Sequence, residues 1–197
     1  MVVLNDRATI LWRRLDLPGH DTAALRRSPD GWQLSGVALL AESGRPCRLE
    51  YEIACDPRWV TRRCALRGYV GAAAVALELA RGPTGAWTVG GARAPSLDGC
   101  DDVDLGFTPA TNLLPIRRLG LAVGASAAVR AAWVRFPDLT TEVLEQVYTR
   151  LSPERYLYES AGGSFRRELT VDAAGFVLDY PDLWHAEARA GPLEPGA

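Results

Sequence analysis

Three aspartates, Asp101, Asp102 and Asp104, form the densest group of acids in the sequence. Carboxylates at this spacing could hold a cation through oxygen ligands, or divide the general-acid and general-base roles of a catalytic pair. The loop pattern of an EF-hand, with a glycine and a distant glutamate, is absent. The alternative is structural, with the aspartates capping turns and pairing with Arg117 or Arg118. We favour it because most carboxylates near arginines form structural ion pairs, and we predict no metal ligand.

Other residues that could carry catalysis have no partner at a recognisable spacing. His20 and Asp21 are adjacent in the sequence, and adjacent side chains of an extended chain point to opposite sides, so this pair is no catalytic dyad. No nucleophile elbow, P-loop, dinucleotide fingerprint or zinc-protease helix occurs. We therefore expect no catalytic residue and no cofactor. A cation-dependent hydrolase at the aspartate loop is the least favoured function.

We predict that the four cysteines are reduced, partly buried thiols. No two of them are spaced as a C-x-x-C motif, which argues against a zinc site or a thioredoxin-type site. A bridge between Cys55 and Cys64 across neighbouring strands is the alternative. The four are Cys47, Cys55, Cys64 and Cys100.

Charge and hydropathy argue against two classes of partner. The formal net charge is −2 and the isoelectric point is about 5.7, so we predict no basic surface for nucleic acid. No stretch approaches the roughly 18 consecutive apolar residues of a membrane-spanning helix. The N-terminal sequence lacks the pattern of a secretion signal, which predicts a cytoplasmic location.

Short extended segments separated by turns predict a mainly β chain. The clearest is Arg48–Cys55, in which apolar and charged residues alternate strictly. Ala72–Arg81 contains helix-favouring alanines but also alternates, and we predict a strand there. Further strands are predicted at Trp32–Leu40, Trp59–Val70, Ala86–Val89, Ala127–Phe136, Tyr156–Glu159, Ser164–Val171 and Phe176–Tyr180. Turn signals about every 8–12 residues indicate a sandwich, roll or barrel. We predict one domain over residues 1–186 and a flexible C-terminal tail over residues 187–197.

The segment Asp98–Leu121 follows neither a strand nor a helix period for most of its length. A short helix is predicted at Asn112–Leu119, capped by Thr111 or Asn112, with Pro115 in its first turn. Leucine and isoleucine side chains surround nearly the whole helix, and a helix that is apolar on most sides belongs in an interior. We expect it to lie within a curved sheet.

Seven blocks of the sequence resemble a bacterial glycolipid-binding family that was long a domain of unknown function. The blocks are Trp12–Asp21, Asp30–Gly36, Leu49–Arg62, Gly99–Leu119, Ala131–Leu139, Tyr156–Ser160 and Gly175–Trp184. The resemblance implies a spiral β-roll in which a long antiparallel sheet wraps around one helix, often as a dimer. It also implies a strand at Val143–Leu151, whose apolar residues have a helical period.

The family fold is similar to that of periplasmic lipoprotein carriers, which hold acyl chains between sheet and helix. The resemblance therefore implies a non-enzymatic binding protein for a glycolipid or a similar lipid-like amphiphile, held between the curved sheet and the central helix. The alternative is a structural or interaction module with a filled core, in which Asp–Arg pairs hold the helix inside the roll. The candidate ligand-binding residues are Trp59, Arg62, Asp104, Phe107, Thr108, Asn112, Arg117 and Arg118.

Overall fold

A computed structural model describes residues 7–191 of the chain. In this part of the chain fifteen strands form one continuous sheet, with a single α-helix. The strands are β1 (Arg7–Arg14), β2 (Gly19–Ser28), β3 (Gly31–Glu42), β4 (Arg45–Cys55), β5 (Thr61–Val70), β6 (Ala73–Arg81), β7 (Trp87–Val89), β8 (Ala92–Arg93), β9 (Asp102–Leu105), β10 (Ser126–Val134), β11 (Thr141–Ser152), β12 (Arg155–Ser160), β13 (Phe165–Val171), β14 (Val177–Tyr180) and β15 (Trp184–Ala190). The helix is α1 (Leu113–Leu119), and 3-10 turns lie at Pro95–Leu97, Ala110–Asn112 and Ala161–Gly163.

The sheet is two antiparallel meanders joined in the middle. β1 to β8 follow one another outward, β9 to β15 occupy the other half, and β1 pairs with β15 between them. β9 and β10 are parallel, which corrects the expectation of a wholly antiparallel sheet. The chain passes through α1 between these two strands, and parallel neighbours require a crossover of this kind.

Alternation along the strands places one face of the sheet in the core. In β4, Leu49, Tyr51 and Ile53 are buried while the residues between them are more exposed. Cys55 and Cys47 continue this buried face, and all four cysteines are buried and free. The pattern that predicted the strand from the sequence therefore also predicted which side of it faces inward.

The helix α1 lies inside the roll, as its composition predicted. Leu113, Leu114, Pro115 and Ile116 are buried. The chain enters α1 directly from the 3-10 turn, so Asn112 is itself helical, and neither Asn112 nor Thr111 forms the predicted side-chain cap. The helix ends at Gly120, whose backbone has a left-handed φ of 52° and whose N–H donates to the Ile116 carbonyl.

The two halves of the sheet meet where the edge strand β9 reaches β5. The Thr61 N–H donates to the Asp101 carbonyl oxygen at 2.9 Å, and the Val103 N–H donates to Thr61 Oγ1 at 3.2 Å. These contacts wrap the sheet around α1 without closing it into a barrel. The predicted β-roll around one short helix is confirmed.

Several predictions about individual segments can be compared with these elements. Val143–Leu151 lies within β11, so the strand implied by the resemblance is correct and the helical period was misleading. Residues 187–190 were predicted to belong to the tail, but they pair with β1 as part of β15. The rest of the predicted tail, residues 192–197, lies outside the described residues. Among residues 7–191, no helix has the length and apolar character needed to cross a membrane.

Candidate functional site

The aspartate cluster is engaged in ion pairs with arginines. Arg118 Nε lies 3.0 Å from Asp102 Oδ1, and Arg118 Nη2 lies 2.6 Å from Asp102 Oδ2. The Asp102 side chain is 1% exposed. Asp101 accepts a hydrogen bond from Arg81 Nη2 at 2.9 Å and lies 3.8 Å from Arg118. The pairing links β6, β9 and α1, which is the structural role predicted for these residues.

The third aspartate of the cluster is turned toward a different group. Asp104 is partly buried and accepts a hydrogen bond from Gln146 Nε2 at 2.7 Å. Burial raises the pKa of Asp104 to about 6. Gln146 also donates to the Tyr158 hydroxyl at 3.1 Å. In the part of the chain that the structure describes, no group of three or more histidine, cysteine or acidic residues could hold a metal ion.

A second buried carboxyl lies in the core beside Thr108. The Thr108 hydroxyl donates to Asp21 Oδ2, and the Tyr51 hydroxyl donates to the same oxygen at 3.0 Å. The Asp21 side chain is 0% exposed, and no ion pair to it occurs among residues 7–191. Burial raises its pKa to about 7. We assigned no role to Asp21 from the sequence, although it lies in phase with the inward residues Ala23 and Leu25 of β2.

Two further sequence-predicted site residues also lie in the core. Phe107 is 1% exposed and packs against Tyr51 and Phe136. Asn112 is buried, and its Nδ2 donates to the Tyr148 hydroxyl at 2.9 Å. Both side chains belong to the packing around α1.

The turn before β5 positions Trp59 against α1. The Asp56 carboxylate accepts the N–H groups of Arg58 and Val60 at 2.9 and 3.0 Å, and its other oxygen pairs with Arg62 at 2.6 Å. This turn holds Trp59 at a φ of 69°, which is uncommon for a bulky residue.

The Trp59 ring is covered by two neighbours. Trp32 stacks on it at a centroid distance of 4.3 Å. The Arg117 guanidinium lies over the same ring at 5.2 Å. Trp59 is 6% exposed, so it offers little open face to a sugar ring, and its main contact toward the helix is with Arg117.

A cleft of about 380 Å³ lies on the outer face of β1 to β5, and one of about 300 Å³ lies beside the end of β15. Each contains an arginine that forms an ion pair. In the first, Arg63 forms an ion pair with Glu78 at 2.8 Å. In the second, Arg189 lies 3.7 Å from Asp172.

A larger cleft of about 530 Å³ lies between the C-terminal turn of α1 and the sheet. Its walls include Ile116 and Arg117 from α1, Arg150 from β11 and Tyr156 from β12. Asp172, which follows β13, also lines it. Arg117 lies more than thirty residues before Arg150 in the sequence, and the roll brings the two together.

The two arginines of this cleft have no carboxylate partner among the described residues. Arg117 is half-buried, and its only hydrogen bond there is a 3.5 Å contact from Nη1 to the Ala173 carbonyl. Burial lowers the pKa of Arg117. Arg150 donates to the carbonyl oxygens of Leu121 and Pro153 at 2.8 and 3.0 Å. Neither guanidinium has a carboxylate within ion-pair distance among residues 7–191, although Asp172 in the same cleft interacts electrostatically with Arg117.

The acid that lines the cleft is occupied by backbone and by a different arginine. Asp172 Oδ1 accepts the Phe176 N–H at 2.9 Å, and burial raises the pKa of Asp172. Its other oxygen is the one near Arg189. The cleft is therefore suited to a ligand that carries an anionic group together with an apolar part that can contact Ile116 and Tyr156.

Of the eight candidate residues, Arg117 lines this cleft, and Trp59 contacts Arg117 without lining the cleft itself. Arg118, one residue further along α1, points to Asp102 instead. The sequence analysis missed Arg150 and Tyr156. Neither lies in a recognisable motif with Arg117, and only the curvature of the sheet makes them neighbours.

The chain was compared with known proteins. Residues 9–186 match the family described as "Putative glycolipid-binding". The crystal structure of a DUF1089 family protein from Pseudomonas aeruginosa is similar to the chain, with 37% sequence identity and a TM-score of 0.75. The similarity covers 84% of this chain and 91% of that one. No curated protein matches the chain.

Proposed function

The chain belongs to the glycolipid-binding family, and on this premise we propose that it binds a lipid-like amphiphile in the cleft between α1 and the strands β11 to β13. The family match spans residues 9–186, which include every residue of the cleft. The proposed role is binding without catalysis. The predicted cytoplasmic location and homodimer stay predictions.

The observation that carries this proposal is the pair of arginines without carboxylate partners. Arg117 and Arg150 line one cleft of about 530 Å³, and among residues 7–191 each guanidinium contacts carbonyl oxygens and an aromatic ring and forms no ion pair. Guanidinium groups bind phosphate and carboxylate through paired hydrogen bonds. The polar head of the ligand therefore carries an anionic group, and sugar hydroxyls can donate to the exposed carboxylate of Glu154.

The apolar part of the ligand lies at the mouth of the roll in this proposal. The space between sheet and helix is filled by side chains, since Leu113 and Leu114 are 0% exposed and Phe107 is 1% exposed. An acyl chain in the deep interior would have to displace them. Ile116 and Val171 line the cleft itself and provide apolar contacts without any displacement.

Replacing Arg117 tests the site. We expect Arg117→Ala to lower the affinity for dihexanoyl phosphatidic acid, measured by calorimetry, by about 10-fold or more, because one charge-assisted contact is lost. The melting temperature should stay within about 2 °C of the wild type, because no ion pair is broken. Arg58→Ala is the matched control, since Arg58 lies in the neighbouring turn with its side chain 82% exposed. An unchanged affinity, or a variant that does not fold, would make Arg117 a structural residue.

A structural or interaction module is the second candidate function, and the filled core favours it. Mass spectrometry of an organic extract of freshly purified protein separates the two. A lipid present in stoichiometric amount supports the binding function, with denatured and unrelated proteins as controls. An empty extract, repeated after incubation with total bacterial lipids, supports the structural module.

A further inference from the structure

Exposed residues from three separate turns lie around the cleft. We define the entrance rim as Val123, Leu151, Pro153 and Ala173. Pro153 and Ala173 line the cleft itself. Val123 precedes Gly124, whose N–H donates to the Arg150 carbonyl, and Leu151 directly follows Arg150 in the sequence.

Val123 and Leu151 are large apolar side chains held in the open. Val123 is 56% exposed in a tight turn closed by a hydrogen bond from the Ala125 N–H to the Ala122 carbonyl. The next residue, Gly124, donates its N–H to the Arg150 carbonyl at 2.7 Å. Leu151 is 42% exposed and lies where the pairing of β11 with β12 shifts register after Arg150. Both residues therefore adjoin the backbone of Arg150, which lines the cleft.

Positive charge lies beside these apolar groups. Arg117 and Arg150 have no carboxylate partner within residues 7–191. Glu154 is the exposed acid that opposes them at the cleft. Exposed apolar side chains combined with arginines bind the surface of an anionic bilayer, where the apolar groups enter the headgroup boundary and the cations meet lipid phosphates.

We propose that the entrance rim docks on an anionic lipid bilayer, from which the cleft takes its amphiphile. This inference rests on the proposed function, because a lipid-like ligand has to be collected from a membrane. The overall net charge of −2 means that attraction comes from the cleft arginines beside the rim and is short-ranged. Docking is therefore weak, reversible and sensitive to salt.

Vesicle co-sedimentation with the full-length chain tests this inference. The wild type should bind vesicles made of a mixture of phosphatidylcholine and phosphatidylglycerol. Its affinity for vesicles of pure phosphatidylcholine should be lower by about 10-fold or more. The double variant Val123→Asn with Leu151→Asn should bind the anionic vesicles about 10-fold more weakly than the wild type, because two apolar groups are replaced by uncharged polar groups. Neither residue lines the cleft.

Leu39→Asn is the control variant. Leu39 is 53% exposed, but it lies toward the other end of β3, away from the rim, and this change should leave vesicle binding unchanged. Equal wild-type binding to neutral and anionic vesicles, or a double variant that binds as the wild type does, would overturn the proposed docking.

A soluble probe separates the docking from the proposed function. Dihexanoyl phosphatidic acid reaches the cleft without a bilayer, so the double variant should bind it with the wild-type affinity. If the wild type binds anionic vesicles but not this probe, the docking stands and the proposed ligand site fails. If it binds the probe but no vesicle, the ligand site stands and the docking is wrong.

Discussion

Asp21 is a carboxyl group buried in the core without a cation beside it. Its partners are the hydroxyls of Tyr51 and Thr108, and hydrogen bonds from neutral donors compensate only part of the cost of removing a charge from water. The result is a pKa raised to about 7 by burial. The side chain therefore changes its protonation state near neutral pH inside a packed core.

This shift determines how stability depends on pH. In the unfolded chain Asp21 loses its proton near its model value of 3.8, whereas the folded chain keeps it up to about 7. The folded state thus binds more protons between these values, and the free energy of unfolding falls as the pH rises through this range. Asp21→Asn carries no charge at any pH. The free energy of unfolding of Asp21→Asn minus that of the wild type should therefore be at least about 1 kcal/mol larger at about pH 8 than at about pH 4.

Urea denaturation of the two proteins at both pH values measures this difference. Asp98→Asn serves as the control, because that carboxyl is on the surface and its pKa is lowered by the Arg93 hydrogen bond. The Asp98 variant should show no gain toward high pH. A stability difference between Asp21→Asn and the wild type that does not change with pH would show that Asp21 stays in one protonation state.

Adjacent arginines on α1 have different energetic roles. Arg118 neutralises Asp102, which is 1% exposed, while Arg117 pairs with no carboxylate of the described chain. Arg118→Ala should therefore lower the free energy of unfolding by about 3–5 kcal/mol, because it leaves a buried charge without a partner. Adding Asp102→Asn should recover part of that loss, as judged by chemical denaturation. A loss no larger than that of Arg117→Ala would contradict the structural role of the ion pair.

The residues of the ion pair were predictable from the sequence and those of the cleft were only partly so. Asp102 and Arg118 are few residues apart, and a loop folded around a buried helix brings such charges together. Arg150 lies 33 residues beyond Arg117 in the sequence, so its place in the cleft depends on how far the sheet curls. Asp21 was assigned no role because β2 was not predicted.

At the scale of elements, one glycine allows three neighbouring strands to share a polar contact. Gly36 of β3 lies directly opposite Tyr51 of β4, and the Tyr51 side chain passes over it to reach Asp21 on β2. A Cβ at Gly36 would lie 2.2 Å from Tyr51 Oη and 2.5 Å from the Thr22 carbonyl oxygen. The absence of a side chain on β3 is therefore what permits the contact.

Gly36→Ala should destabilise the protein by about 2 kcal/mol or more, because the tyrosine or the backbone has to move in a packed core. The effect is measured by thermal or chemical denaturation. Gly82→Ala is the control, since a Cβ there would meet its nearest atom at 3.6 Å. The double variant Gly36→Ala with Tyr51→Phe should lose less free energy of unfolding than the sum of the losses of the two single variants. Strict additivity would indicate that Gly36 and the Tyr51 hydroxyl do not interfere.

The sequence predicted elements well where the alternation was strong. β4 and β6 are strands as predicted, and alternation outweighed the alanine content of β6. β11 has apolar residues at helical spacing and is nevertheless a strand, because the long sheet around α1 imposes extended structure on it. The parallel pairing of β9 with β10 had no local signal, since it depends on the crossover through α1.

At the scale of the whole molecule, the order of strands ties the two ends of the chain together. β1 pairs with both β2 and β15, so the outermost segments in sequence lie at the centre of the sheet. The buried apolar residues form one cluster that includes residues from both halves and from α1. Neither half buries its inner face alone, and this argues for one cooperative unit. The single domain over residues 1–186 stays a prediction.

Cooperative folding makes a simple prediction about unfolding. Tryptophans report on distant parts of the roll, since Trp12 lies in β1, Trp87 in β7 and Trp184 in β15. Guanidinium denaturation followed by tryptophan fluorescence and by far-ultraviolet circular dichroism should give coincident transitions. A chain ended after β8 lacks α1 and the partner strand of β1, so it should show no cooperative transition. Two separate transitions in the full chain, or a folded β1–β8 fragment, would show that the halves are independent domains and that the continuous sheet does not couple them.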